Sequence, residues 1–145
     1  MDKEKAFQIC SLSVLIGINM TIIAQYGLLT ILTAFLIFHI CVLFRLIPYK
    51  MVWGGRLKSD TEMYRFEIFS IFINSFFLFV ILVQAGVLNF NLQRNLMTII
   101  LWAMSVLFLF NTIGNITSKN KIERRLFTPI TIILTVFLII LALTN

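Results

Sequence analysis

Four long stretches of this chain carry no charge at all. No Asp, Glu, Lys or Arg occurs between Lys5 and Arg45, between Glu67 and Arg94, between Arg94 and Lys119, or after Arg125. An apolar run of ~20 residues, rising 1.5 Å per residue, crosses the hydrocarbon core of a bilayer. A water-soluble globule is excluded by the same numbers: 60% of the 145 residues are hydrophobic, which leaves too little polar surface to cover one. The chain is expected to be an all-α polytopic transmembrane bundle, a single integral membrane domain over residues 1–145, with lipid solvating its outside.

Other scarcities narrow the chemistry. There are two cysteines, Cys10 and Cys41, both in apolar windows and in no C-x-x-C or Cys/His grouping. Neither a thioredoxin-like centre nor a zinc site is expected, and both are read as small hydrophobes. No metal or other cofactor is assigned. The G-x-x-x-x-G-K-[ST] spacing of a phosphate-binding loop is absent. Acids are half as numerous as bases, 6 against 12, but the bases sit at the ends of apolar runs rather than on a basic domain. They read as topology anchors facing anionic headgroups, and nucleic acid is not an expected partner. The opening stretch is interrupted by Gln8, Ser11, Ser13, Asn19 and Thr21 and lacks a small-residue cleavage site. It is read as an uncleaved first span rather than a signal peptide.

What is present sets the organisation. The first uncharged window, Ala6–Phe44, is nearly twice the length a bilayer needs, and the punctuation near its middle is Gln25-Tyr26-Gly27. A glycine can end a helix in the left-handed conformation, which predicts a hairpin there. Five spans follow, at about Phe7–Ala24, Leu28–Ile47, Phe66–Leu88, Leu96–Ile116 and Leu126–Thr144, joined by short loops. If the first segment lies at the interface, four remain. With five spans, the amino terminus and the loops Arg45–Arg65 and Lys119–Arg125 share one face, which holds eleven of the twelve basic residues. The positive-inside rule makes that face cytoplasmic and places the carboxyl terminus outside, with the bacterial cell membrane as the expected location.

A few polar groups in the apolar windows call for an explanation. His39 is the one strongly ionisable side chain well inside a span, and such residues default to a functional role. Glu67 stands near the entry of the next predicted span and could meet it. Asn74 lies inside that span, and Asn111 and Asn115, four apart, share one face of the following helix. Amides in lipid need partners, so these groups are expected to turn inward. His39, Glu67, Asn74, Asn111 and Asn115 form the candidate ligand pocket. In the loop after Pro48, Trp53, Arg56 and Lys58 flank Gly54-Gly55 and suit contact with a lipid headgroup or phosphate. No catalytic residue is assigned.

The absence of a sharp chemical constellation favours a non-enzymatic accessory or scaffolding protein. Its partners would be membrane lipids and either a second copy of itself or another membrane protein. The alternative is a small oligomeric transporter or channel subunit with a polar pocket open to the cytoplasm. A second alternative is an enzyme acting on lipid or lipid-linked substrates at the cytoplasmic interface.

Overall fold

The computed structural model describes residues 3–48, 57, 59–118 and 120–145. The helices are α1 (Lys3–Leu43), α2 (Asp60–Gln84), α3 (Arg94–Ile116) and α4 (Thr128–Thr144), the last entered through a π-helical turn at Glu123–Phe127. No strand occurs among the described residues. Four segments are long and apolar enough to cross a membrane: Val14–Leu43, Asp60–Gln84, Arg94–Ile116 and Glu123–Thr144.

The five expected spans are therefore corrected to four. The segments predicted at Phe7–Ala24 and Leu28–Ile47 belong to one helix, α1, which runs through Gln25-Tyr26-Gly27 without a break. The physical reason is backbone hydrogen bonding. A hairpin there would leave about four backbone donors and four acceptors without helical partners, and the continuous helix keeps them all bonded. A glycine inside a helix costs only about 1 kcal/mol. The polar triplet has other uses. Gln25 Nε2 donates to Gln84 Oε1 at 3.0 Å. Gly27 lets α4 approach, because a Cβ there would collide with the ring of Phe137.

Helix ends lie where the backbone is satisfied. At Arg45 the chain turns left-handed (φ 60°), Arg45 N–H donates to Val42 O at 2.9 Å, and Leu46 N–H reaches Cys41 O at 2.9 Å. Gly86 (φ 72°) closes α2 with the same pair of bonds, to Val83 O and from Val87 to Leu82 O. Both are Schellman stops. The α2 helix starts at Asp60, ahead of the expected Phe66, because Ser59 caps it by accepting from Glu62 N–H at 3.2 Å. Ahead of Pro129, which cannot donate to the preceding turn, the chain widens into the π-helical turn, where Thr128 N–H donates to Glu123 O.

The α1 helix lies antiparallel to α2 and to α4, and α4 lies antiparallel to α3, whereas α2 and α3 touch little. Ala24, Leu28 and Leu32 of α1 pack with Ile81 of α2, Leu101 of α3, and Leu134 and Leu138 of α4 in one core. That core fills the end of the bundle nearer Gln84, Arg94 and Asn145, where Asn145 Nδ2 donates to Arg94 O (3.3 Å) and Thr98 Oγ1 (2.9 Å). The outward surface is strongly apolar, with Phe72, Ile99 and Leu143 all exposed. A bundle whose solvent is lipid has this character.

Continuity of α1 changes two further expectations. The amino terminus was placed on the face of the two basic loops, but α1 puts its start and Arg45 at opposite ends. Thr21 meets Thr144 at 3.3 Å, so the first turns of α1 run past the end of α4. Cys10 and Cys41, which a hairpin at Gln25-Tyr26-Gly27 would bring to similar depth, lie on one helix about 46 Å apart. No disulfide can join them.

Candidate functional site

The α1–α2 seam is a ladder of polar rungs. Gln25, Leu32 and His39 fall every seven residues on one face of α1. The rung at Gln25 is the bond to Gln84. At Leu32, the backbone carbonyl accepts from Asn74 Nδ2 at 2.8 Å. At His39, Nδ1 lies 2.7 Å from Glu67 Oε2, and Glu67 is fully buried. Six residues further on, Arg45 leaves the apolar region. Its guanidinium lies 5.4 Å from the ring centroid of Tyr64 and 2.7 Å from Asp60 Oδ2. Tyr64 first, and then Asp60, raise its already high pKa, so it stays charged at any working pH.

Beyond the packed end, the gap between α2 and α3 widens into a cavity of about 710 Å³. That volume lies in the range of small-molecule sites. Its wall is mainly apolar: eight phenylalanines line it, two from α1, three from α2, two from α3 and Phe127 from the π-helical turn. Phe35 and Phe38 pack against Phe127 with ring centroids 6.0 and 5.4 Å apart, which fixes the α1 wall on the turn below.

The cavity gathers most of the polar residues singled out in the sequence. His39, Asn74, Asn111 and Asn115 all line it, while Glu67 is bonded to His39 and is not itself on the wall. Asn115 Nδ2 points to Thr131 Oγ1 across a long 3.5 Å. Thr131 donates its own proton to the backbone at Phe127 O (2.9 Å) or Thr128 O (3.0 Å). Trp53, Arg56 and Lys58, the expected headgroup contacts, lie outside the described residues. Leu57, between two of them, is buried and lines the cavity.

Four polar lining residues, Ser70, Glu62, Glu123 and Thr131, were not singled out as pocket members from sequence. Ser70 shares the α2 face of Glu67 and Asn74, a spacing of three and four that was there to be read. Glu62 stands in the first turn of α2, where an acid complements the helix dipole, and it also lines the cavity. Glu123 was hidden in a basic run. It is buried in the π-helical turn and accepts from Ser118 Oγ at 2.6 Å, a placement that only the packed turn creates. Among the described residues, no three His, Cys, Asp or Glu side chains come together as metal ligands. No family model, no curated protein and no solved structure matches the chain.

Proposed function

We propose that this is a small ligand-binding membrane protein that admits an amphipathic molecule into the cleft between α2 and α3. The observation that carries this reading is the gathering of His39, Asn74, Asn111 and Asn115 on one phenylalanine-lined cavity of about 710 Å³. Polar side chains within an apolar bundle are costly unless they are used, and a concave apolar wall with a few convergent polar groups is the usual form of a binding site. Nine of the twelve basic residues fall in the loops Arg45–Arg65 and Lys119–Arg125, at the cavity end of the bundle. The positive-inside rule then puts the mouth at the cytoplasmic leaflet and both termini of the chain outside. Binding of this kind fits a transporter subunit or a carrier of membrane-soluble molecules.

Gly114 provides the test. It lines the cavity, and a Cβ added there meets nothing within 4 Å. Gly114→Leu should fold at least as well as the parent, since leucine is the better helix former by about 1 kcal/mol. It should also fill the cleft and abolish amphiphile-induced thermal stabilisation of the purified protein. Ligand stabilisation that survives the substitution would rule the cleft out.

The scaffold reading keeps one observation of its own. The amino-terminal turns of α1 expose Leu12, Leu15 and Ile18 beyond the end of α4. That apolar surface suits a membrane partner or a second copy. The two readings differ in which surface is sensitive to mutation, the cleft or the outer face of α1.

A further inference from the structure

The ligand's head group can be read from the polar groups of the cleft, and this step rests on the cleft being a binding site. Asn74 Nδ2 donates to the carbonyl of Leu32, which can only accept, so that amide is fixed with Oδ1 and one N–H left over. The Thr131 hydroxyl gives its proton to the backbone and accepts from Asn115 Nδ2, which leaves Asn115 with Oδ1 and one N–H. The side chains of Asn111 and Ser70 line the cavity and make no hydrogen bond to any described residue. His39 holds Glu67 through Nδ1, and its Nε2 has no hydrogen bond among the described residues. Amides and hydroxyls donate and accept alike, and Nε2 does one or the other according to where the ring carries its proton. These five groups from three helices therefore offer donors and acceptors together. Among the described residues, the lining groups able to carry charge are already engaged. His39 faces Glu67, Glu123 accepts from Ser118, and neither Glu62 nor Glu123 is free.

We infer that the cleft recognises an uncharged hydroxyl head on an apolar chain. A hydroxyl donates and accepts at once, so it pairs with either end of the Asn111 amide, with Ser70, and with His39 Nε2 in either tautomer. The chain lies along the phenylalanine wall, towards Phe69 and Phe110, which are both more than half exposed where α2 and α3 stay apart. A charged head of either sign would enter these apolar surroundings and meet ionisable groups that are already engaged, so its desolvation would go uncompensated. An ether would accept but could not donate, and would leave the amide oxygens unmatched. The same chemistry occurs in free long-chain alcohols and in the glycerol head of mono- and diacylglycerols.

The experiment uses the full chain in phosphatidylcholine nanodiscs and measures saturable binding of radiolabelled dodecanol. Dodecylammonium, dodecyl sulfate and dodecyl methyl ether, of equal alkyl chain length, are measured in the same way. Each should bind about tenfold more weakly than dodecanol. Asn111→Leu and Ser70→Ala, which break no bond in the fold, should each weaken dodecanol binding about fivefold, the worth of one net hydrogen bond. Thermal stability should stay unchanged in both, and Gly114→Leu should abolish binding. Displacement by 1-monolauroylglycerol identifies the source. If it displaces the label better than unlabelled dodecanol does, a glyceride is indicated, and if it does so less well, a free alcohol is. Either result supports the hydroxyl reading. Suppose Gly114→Leu abolishes binding, but a charged head or the ether binds as tightly as dodecanol, or Asn111→Leu and Ser70→Ala both leave dodecanol binding unchanged. The inference then falls while the cleft remains a ligand site. If none of the four amphiphiles binds saturably, or Gly114→Leu leaves binding intact, both fall.

Discussion

Glu67 is fully buried two turns into α2, with His39 Nδ1 2.7 Å away. A buried carboxyl that loses a partner pays for desolvation without return, and the same holds for the imidazole it leaves. Glu67→Ala should therefore destabilise the bundle by about 1–3 kcal/mol. Glu67→Gln, which keeps an acceptor facing the imidazole, should cost clearly less, and unfolding in detergent would separate the two. Equal losses would mean that volume at this site matters more than the hydrogen bond. The sequence made His39 and Glu67 candidates because polar groups in apolar windows are conspicuous. It could not pair them, because their contact depends on the antiparallel register of two helices. That register shows in the three rungs at Gln25, Leu32 and His39. At Leu32 the group that accepts from Asn74 is the backbone carbonyl, which leaves no mark in the sequence.

At the scale of the element, the instructive residue is Gly27. A glycine beside Gln25 and Tyr26 reads as a helix stop, yet α1 continues and the glycine serves as a contact point for Phe137. A larger side chain at this position must displace the ring or push α1 off α4. Gly27→Leu is expected to cost about 1–3 kcal/mol by overpacking. Adding Phe137→Ala should recover part of that loss, and the coupling would appear in a double-mutant cycle of thermal stabilities. Additive losses would show that Gly27 is not a packing point. The stops the chain actually uses were less conspicuous. Arg45 takes the left-handed conformation that glycine favours, held by Asp60 and Tyr64, while Ser59 and Glu62 carry a capping pattern that was legible and starts α2 early. The π-helical turn at Glu123–Phe127 depends on how Pro129 and the turn below it pack, so charge and hydropathy gave no sign of it.

For the molecule as a whole, one continuous α1 fixes the parity of the topology. With four crossings, the start of α1 and Asn145 lie at one end, and the loops holding Asp60 and Lys121 lie at the other. In a background without Cys10 and Cys41, Lys5→Cys and Asn145→Cys should react with a membrane-impermeant maleimide from the same side of the membrane. Asp60→Cys and Lys121→Cys should react only from the opposite side. Labelling of Lys5→Cys together with Asp60→Cys would contradict a single crossing by α1. The length of α1 adds a constraint. Its apolar part, Val14–Leu43, has 30 residues and measures about 45 Å, against ~30 Å of hydrocarbon. It must tilt or project. Tight packing of all four helices at one end, together with the gap between α2 and α3 at the other, sets where a cavity can form.

The sequence by itself determined that this chain is helical with segments long and apolar enough to cross a membrane, because hydropathy and charge are local properties summed along the chain. It also picked out four of the eight polar residues that line the cleft, His39, Asn74, Asn111 and Asn115, since such groups stand out in apolar surroundings. Tertiary structure decided the rest. Whether Gly27 ends a helix or packs against one depends on Phe137, more than a hundred residues away. Whether four polar residues on three helices share a cavity depends on which helices touch and which stay apart. Those are properties of packing between distant segments, where free energies of a few kcal/mol choose among arrangements that look alike in hydropathy.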